Sequence, residues 1–156
     1  MGTRWAGGLE IAASCDLRFA STRSMFAMPE VRLGVPSVIE TVLLPGLIGW
    51  GRTRLLVYTA RAIDAKTAYD WGLVEELAEP ADLDAAARRC IDEITLSDPD
   101  VIASKKRLVR EWEGMTSDEG IAYSIDEFED TWRRPEPGRR LQAFVDHLEQ
   151  RKLGRK

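Results

Sequence analysis

The sequence predicts a chain that mixes short strands with helices, the strands gathered toward the front and the rest helical, and three observations lead there. Residues 1–62 are apolar, lightly charged and punctuated by Gly and Pro. Residues 63–156 form a series of charged amphipathic stretches at helical spacing. Within the front region two runs, 16–21 and 25–28, have the length and texture of strands.

Taken in order, residues 6–14 read as a short helix of small side chains opened by the pair Gly7 and Gly8. Residues 16–21 alternate apolar and polar, as a half-buried strand does, and 25–28 form a second short one. A helix is expected over 36–44, closed by Pro45. Its start would be a capping box in which Ser37 accepts from the backbone N–H of Glu40 while the Glu40 side chain reaches back. A helix over 52–59 follows. The next runs from Asp64 as N-cap to Gly72, which tolerates the left-handed backbone that ends many helices. Residues 73–77 are a short strand or extended piece. Residues 83–96 form a helix, and Asp98 caps another with Pro99 in its first turn, where a missing N–H costs nothing. Thr116 and Glu119 form a capping box for a helix to about residue 133, and 139–152 form the last. On that last helix Leu141, Phe144, Val145 and Leu148 recur at spacings of three and four, an apolar face for packing.

Composition narrows the functional classes. With 44% hydrophobic and 31% charged residues the chain lies outside the disordered, collagen-like and small disulfide-bonded classes. Lys plus Arg number 22 against 26 Asp plus Glu, a net charge of −4, so no global field holds a nucleic-acid backbone and nucleic acid is not an expected partner. The longest apolar stretch, 41–51, is broken by Pro45 and falls far short of the ~20 residues that cross a bilayer, so no membrane partner is expected either. No signal-peptide pattern is seen at the front, and the chain is expected to be soluble and not secreted. Cys15 and Cys90 lack a second Cys or a His at metal-ligand spacing; they read as reduced thiols, and no metal is expected. His147, beside Asp146 on a polar helix, reads as a solvated residue.

Two carboxylates stand out by their surroundings. The helical neighbours of Glu10 three and four residues away are Ala6, Gly7, Ala13 and Ser14, none of which can pair a carboxylate. A glutamate on such a face is packed closely by something else, and a carboxyl group removed from water is suited to acid–base work. Glu30 sits in the apolar run Phe26-Ala27-Met28-Pro29-Glu30-Val31 at the end of a strand. The alternative for each is a surface carboxylate, Glu30 paired with Arg32 or Arg23, and composition alone favours it because Glu is usually exposed. Gly7 and Gly8 add a third element: first-turn N–H groups have no intrahelical acceptor, and glycine lets a ligand oxygen approach them. The alternative is a tight turn with close helix packing.

Together these residues carry a resemblance. Ala6-Gly7-Gly8-Leu9-Glu10-Ile11-Ala12-Ala13-Ser14-Cys15-Asp16-Leu17-Arg18, followed by Phe26-Ala27-Met28-Pro29-Glu30-Val31-Arg32-Leu33-Gly34, resembles the enoyl-CoA hydratase/isomerase (crotonase) family. Leu47-Ile48-Gly49-Trp50-Gly51-Arg52, Ala62-Ile63-Asp64-Ala65, Trp71-Gly72-Leu73-Val74 and Gly138-Arg139-Arg140 agree with it in order.

The resemblance implies an α/β fold: residues 1–62 as the tail of a spiral core of strand–strand–helix turns, bearing the catalytic motifs, and 63–156 as a helical region that covers the active site and mediates trimer contacts. It implies hydration of 2-enoyl-CoA thioesters, a carbon–oxygen lyase activity, with Gly7 as one backbone oxyanion donor and Glu10 and Glu30 as the two catalytic glutamates. Coenzyme A is then part of the substrate and no separate cofactor is needed; the expected assembly is a homotrimer or hexamer in the cytoplasm or mitochondrial matrix. Double-bond isomerases of the family commonly rely on the second glutamate alone, so the presence of both favours hydration.

Two departures qualify this. Pro36-Ser37-Val38-Ile39-Glu40 replaces a glycine-rich loop, and Glu40 is read as a capping partner, not a third catalytic carboxylate. The N-terminal repeats that supply the second oxyanion donor and most of the CoA surface are not found before Gly7. Two alternatives follow: an inactive fragment serving as an assembly module, and an enoyl-CoA isomerase. A shortened core is also expected to leave strand edges and apolar surface exposed.

Overall fold

The front of the chain closes on itself through strand pairs that skip long stretches of sequence. A computed structural model describes the backbone of residues 3, 4, 6–37 and 41–153 and the side chains of 8–37 and 41–146. The chain divides into two compact units, Met1–Asp92 and Glu93–Lys156.

In the first unit β1 (Thr3–Arg4) pairs in parallel with β3 (Met25–Phe26), which pairs antiparallel with β4 (Ile63–Asp64). A second sheet pairs β2 (Phe19–Ser21) in parallel with β5 (Glu76–Ala78), Phe19 opposite Glu76. Because β3 and β2 find their partners in β4 and β5, this unit runs on past the change of texture at residue 62. Parallel partners need a crossover, and here it is made by α2 (Leu44–Thr59) and α3 (Ala65–Asp70). The core collects Leu9 and Ala13 from α1 (Ala6–Ala13), Phe26 from β3, Leu44 and Leu56 from α2, and Leu73. Leu9 and Ala13 lie four residues apart, one turn of the same face, which orients α1 toward that core.

Local chemistry sets most boundaries. Asp64 caps α3, accepting from the N–H of Thr67 at 2.8 Å, and Gly72 follows the helix at φ 82°, with Leu73 N–H bonded back to Ala68 O. The expected helix over 36–44 closed by Pro45 is not what forms. Pro36 and Ser37 are non-helical, Thr41–Leu43 make a 3₁₀ turn, and Pro45 lies in the first turn of α2. A proline stops a helix behind it or starts one ahead of it, since either way its missing N–H is not needed; here burial of Leu44 and Ile48 draws the chain forward into helix. Glu40, the second member of the expected Ser37–Glu40 box, lies outside the described residues. The helix expected from residue 52 therefore begins at Leu44 and is broken at Gly49, whose φ of 79° and ψ of 157° suit only glycine. The strands β1 and β4 are two residues each, too short to show a period.

The second unit contains α5 (Pro99–Trp112), α6 (Ser117–Trp132) and α7 (Pro135–Leu153), while α4 (Leu83–Thr95) spans the boundary. Asp98 caps α5 with Pro99 in the first turn. A Cβ on Gly120 would meet the Trp112 ring at 3.2 Å, so glycine lets α5 and α6 approach, and Trp112 Nε1 donates to Ser124 Oγ at 3.1 Å. The last helix begins at Pro135, earlier than expected, again because first-turn prolines cost no hydrogen bond. Its predicted packing face is not covered: Leu141, Phe144 and Val145 are exposed, as are Ile121, Ile125 and Phe128 of α6. The side chains of His147 and Leu148 lie outside those described.

The α6 capping box forms as predicted, with Thr116 N–H and Oγ1–H donating to Glu119 Oε2 at 2.8 and 2.7 Å. These bonds, the backbone one first, hold the Glu119 carboxyl below its ordinary 4.5. A folded-state value lowered in this way stabilises the helix start fully above pH 4.5, and the contribution is lost as pH falls through the lowered value. Amide signals of Thr116 and Glu119 are expected to move with acidification below that pH, and Glu119→Gln to abolish the movement.

Candidate active site

Glu10 lies mid-way along α1 and is 5% exposed. As the flanking Gly and Ala residues require, its partner comes from elsewhere: Thr41 Oγ1 donates to Glu10 Oε1 at 2.5 Å. Thr41 opens the 3₁₀ turn that runs into α2. Gly7 stands three residues before Glu10 in the first turn of α1, so both belong to one face, and its N–H is among those a helix leaves without an internal acceptor.

Glu30 opens the 3₁₀ turn Glu30–Leu33, which follows Pro29 and closes on Gly34 at φ 75°, a left-handed position that glycine takes without strain. Its own carbonyl accepts from Val35 N–H at 3.2 Å. Glu30 is 8% exposed, and its Oε2 is buried with no hydrogen-bond partner among the described residues. The pairing with Arg32 does not form, since Arg32 Nη2 donates to Thr59 O at 3.2 Å. The surface-carboxylate alternative thus falls for both glutamates. An unsatisfied buried polar atom costs about 1–3 kcal/mol, so it persists where something other than stability requires it. The turn carrying Glu30 and the turn carrying Thr41 both pack on α2, which ties the two glutamate environments to one helix.

Residues 1–153 match the family model described as enoyl-CoA hydratase/isomerase. The chain belongs to this family. The chain is similar to the short-chain-enoyl-CoA hydratase of Clostridium acetobutylicum, 31% identical over 146 residues that make up 93% of this chain and 56% of that protein. It is also similar to the crotonyl-CoA hydratase of Syntrophomonas wolfei, 34% identical over 126 residues, 80% of this chain and 48% of that one. Among solved structures, an enoyl-CoA hydratase from Bacillus anthracis superposes with a TM-score of 0.89 at 27% identity, covering 94% of this chain and 57% of that chain. The chain therefore spans about half the length of the curated relatives it matches. The α/β class is that of the crotonase fold, the tail of its core followed by a helical C-terminal region.

The chain also holds α1 at its far end. Arg18, 8% exposed, follows that helix and donates from Nη1 to Cys15 O at 2.7 Å and from Nε to Leu73 O at 2.8 Å. Its Nη2 pairs with Glu75 Oε1, and its backbone N–H donates to Glu75 Oε2. One guanidinium fork thus ties the loop after α1 to residues 73–75. Both Thr41 and Arg18 escaped the reading of the sequence as site elements, because their partners lie 31 and 57 residues away.

Elsewhere, a groove of about 570 Å³ in the second unit is lined by Trp112, Ile121, Ile125 and Phe128 among others and holds none of the three predicted site residues. Among the described residues no cluster of His, Cys, Asp and Glu could hold a metal, and no helix is long and apolar enough to cross a membrane.

Proposed function

We propose that this chain serves the hydration of 2-enoyl-CoA thioesters, with coenzyme A as the substrate's handle and no further cofactor. The observation that carries the reading is the pair of buried carboxyls, Glu10 and Glu30, the latter with an oxygen left unsatisfied. The relatives named short-chain-enoyl-CoA hydratase and crotonyl-CoA hydratase support the substrate class. Adding water across a double bond conjugated to a thioester drives charge onto the carbonyl oxygen, which the Gly7 N–H is suited to receive. In this reading Glu10 takes a proton from water as its oxygen bonds C3, and Glu30 delivers a proton to C2. Passage of the proton from Glu10 back to Glu30 through solvent restores the starting state. Assembly as a homotrimer or hexamer belongs to the same proposal.

One observation favours the isomerase instead: Glu30 has a fully buried oxygen with no partner among the described residues, whereas Glu10 gives one of its two oxygens to Thr41. One assay separates the readings. The purified chain, given crotonyl-CoA, is expected to bleach the conjugated-enoyl absorbance. Conversion of a 3-enoyl-CoA with no reaction of the 2-enoyl-CoA would establish the isomerase. No turnover of either by a folded chain at high concentration would leave the assembly module.

A further inference from the structure

We propose that Thr41 is a positioning residue whose hydroxyl holds one carboxyl oxygen of Glu10 and so fixes the direction in which Glu10 addresses the reacting water. The inference rests on the hydratase reading of Glu10 given above.

A glutamate side chain has three rotatable bonds, and α1 supplies nothing to fix them at Glu10. The hydroxyl four residues on, that of Ser14 just past the helix, donates to Ile11 O at 2.8 Å. The carboxyl is instead held by Thr41 Oγ1 at 2.5 Å. An O–H donor to an ionised carboxylate makes one of the stronger hydrogen bonds, and being neutral it orients the group without adding a charge.

Thr41 is itself firmly placed. A β-branched side chain has few χ1 choices, and the turn that Thr41 opens runs directly into α2 through Leu44, which is fully buried. The donor therefore stands on a rigid support. With Oε1 of Glu10 occupied, Oε2 is left to take the proton of the water. A base already held in its working geometry has less reorganisation to make on the way to the transition state.

Thr41→Val keeps the shape and removes the donor; Thr41→Ser keeps the donor and removes the methyl group. Thr41→Val is expected to lower kcat for crotonyl-CoA hydration about 10- to 100-fold, or about 1.4–2.7 kcal/mol at ~1.36 kcal/mol per tenfold. KM should change less than about twofold and the circular dichroism should be that of the parent, because uniform binding and fold are untouched. Thr41→Ser should stay within about threefold of the parent. A second measurement does not depend on turnover. In chain labelled with [13C]carboxyl glutamate, the Glu10 resonance, assigned through Glu10→Gln, should move in Thr41→Val and return in Thr41→Ser.

An active parent whose kcat is unchanged by Thr41→Val overturns the proposal, whatever the resonance does. So does a Thr41→Ser variant as impaired as Thr41→Val, since packing and not the donor would then matter. If the parent turns over no substrate, the hydratase reading fails on its own account. The resonance then decides the hold of Thr41 on Glu10: movement reversed by Ser supports it, and an unmoved signal overturns it.

Discussion

Glu30→Gln is expected to slow hydration of crotonyl-CoA by about 10²–10⁴-fold, the range over which a positioned general acid contributes. Glutamine keeps the volume and shape of the side chain and cannot supply the carboxyl proton. The same change should leave stability about unaltered, because a neutral amide of the same shape replaces a carboxyl whose Oε2 has no hydrogen bond to lose. Activity falling while stability holds is the signature of a group kept for chemistry. Enoyl absorbance under first-order conditions and a denaturant titration on the same sample read both quantities. Retained activity with lowered stability would mean that Glu30 is structural. Glu10→Gln should lose comparable activity, its amide oxygen still able to accept from Thr41.

The second large effect is expected at Arg18. Removing one partner of a buried pair costs about 3–5 kcal/mol when the other is left stranded. Here Glu75 is 34% exposed and recovers some solvation, so Arg18→Met should cost less, about 2–4 kcal/mol. The loss includes the donors to Cys15 O and Leu73 O, which no apolar side chain replaces. Arg18→Lys should recover little, because an ammonium cannot present the planar fork that reaches Glu75, Leu73 O and Cys15 O together. Hydrogen exchange at α1 and β2 amides, slow in the parent, should accelerate in both variants while α5 and α6 amides hold. Full protection in Arg18→Lys would sink the argument.

What could be read from the sequence follows from distance along the chain. The caps at Asp64, Asp98 and Thr116 involve partners two or three residues away, and all form as the local chemistry dictates. Pro45 was open to two meanings, and only the burial of Leu44 and Ile48 decides between them. The two-residue strands carry no period at all; β1 finds its partner at residues 25–26, and β3 finds its second one only at 63–64. Glu10 and Glu30 stood out by their small or apolar neighbours, while composition alone favoured a surface carboxylate at each, and their burial is seen only in the fold. The hydroxyl that holds Glu10 and the carboxylate that holds Arg18 were not legible, since no pattern links residues 31 or 57 positions apart. The face of α7 shows the converse limit: periodicity announces a surface that wants cover without saying what covers it.

The parallel pairing of β2 with β5 sets a timetable for synthesis. Residues 6–30 leave the ribosome well before residues 75–78, so β2 lacks this partner until Glu76–Ala78 emerge, and Arg18 lacks its carboxylate until Glu75 does. At roughly 5–20 residues per second the wait is on the order of 3–12 s. Through those seconds Leu9, Ala13 and Phe26 lack Leu73 and Val74, the members of their core that are made last. The segment bearing both proposed catalytic carboxyls is thus the first part of the described chain to be made and among the last to be fixed in place, a nascent stretch open to chaperones and to wrong partners.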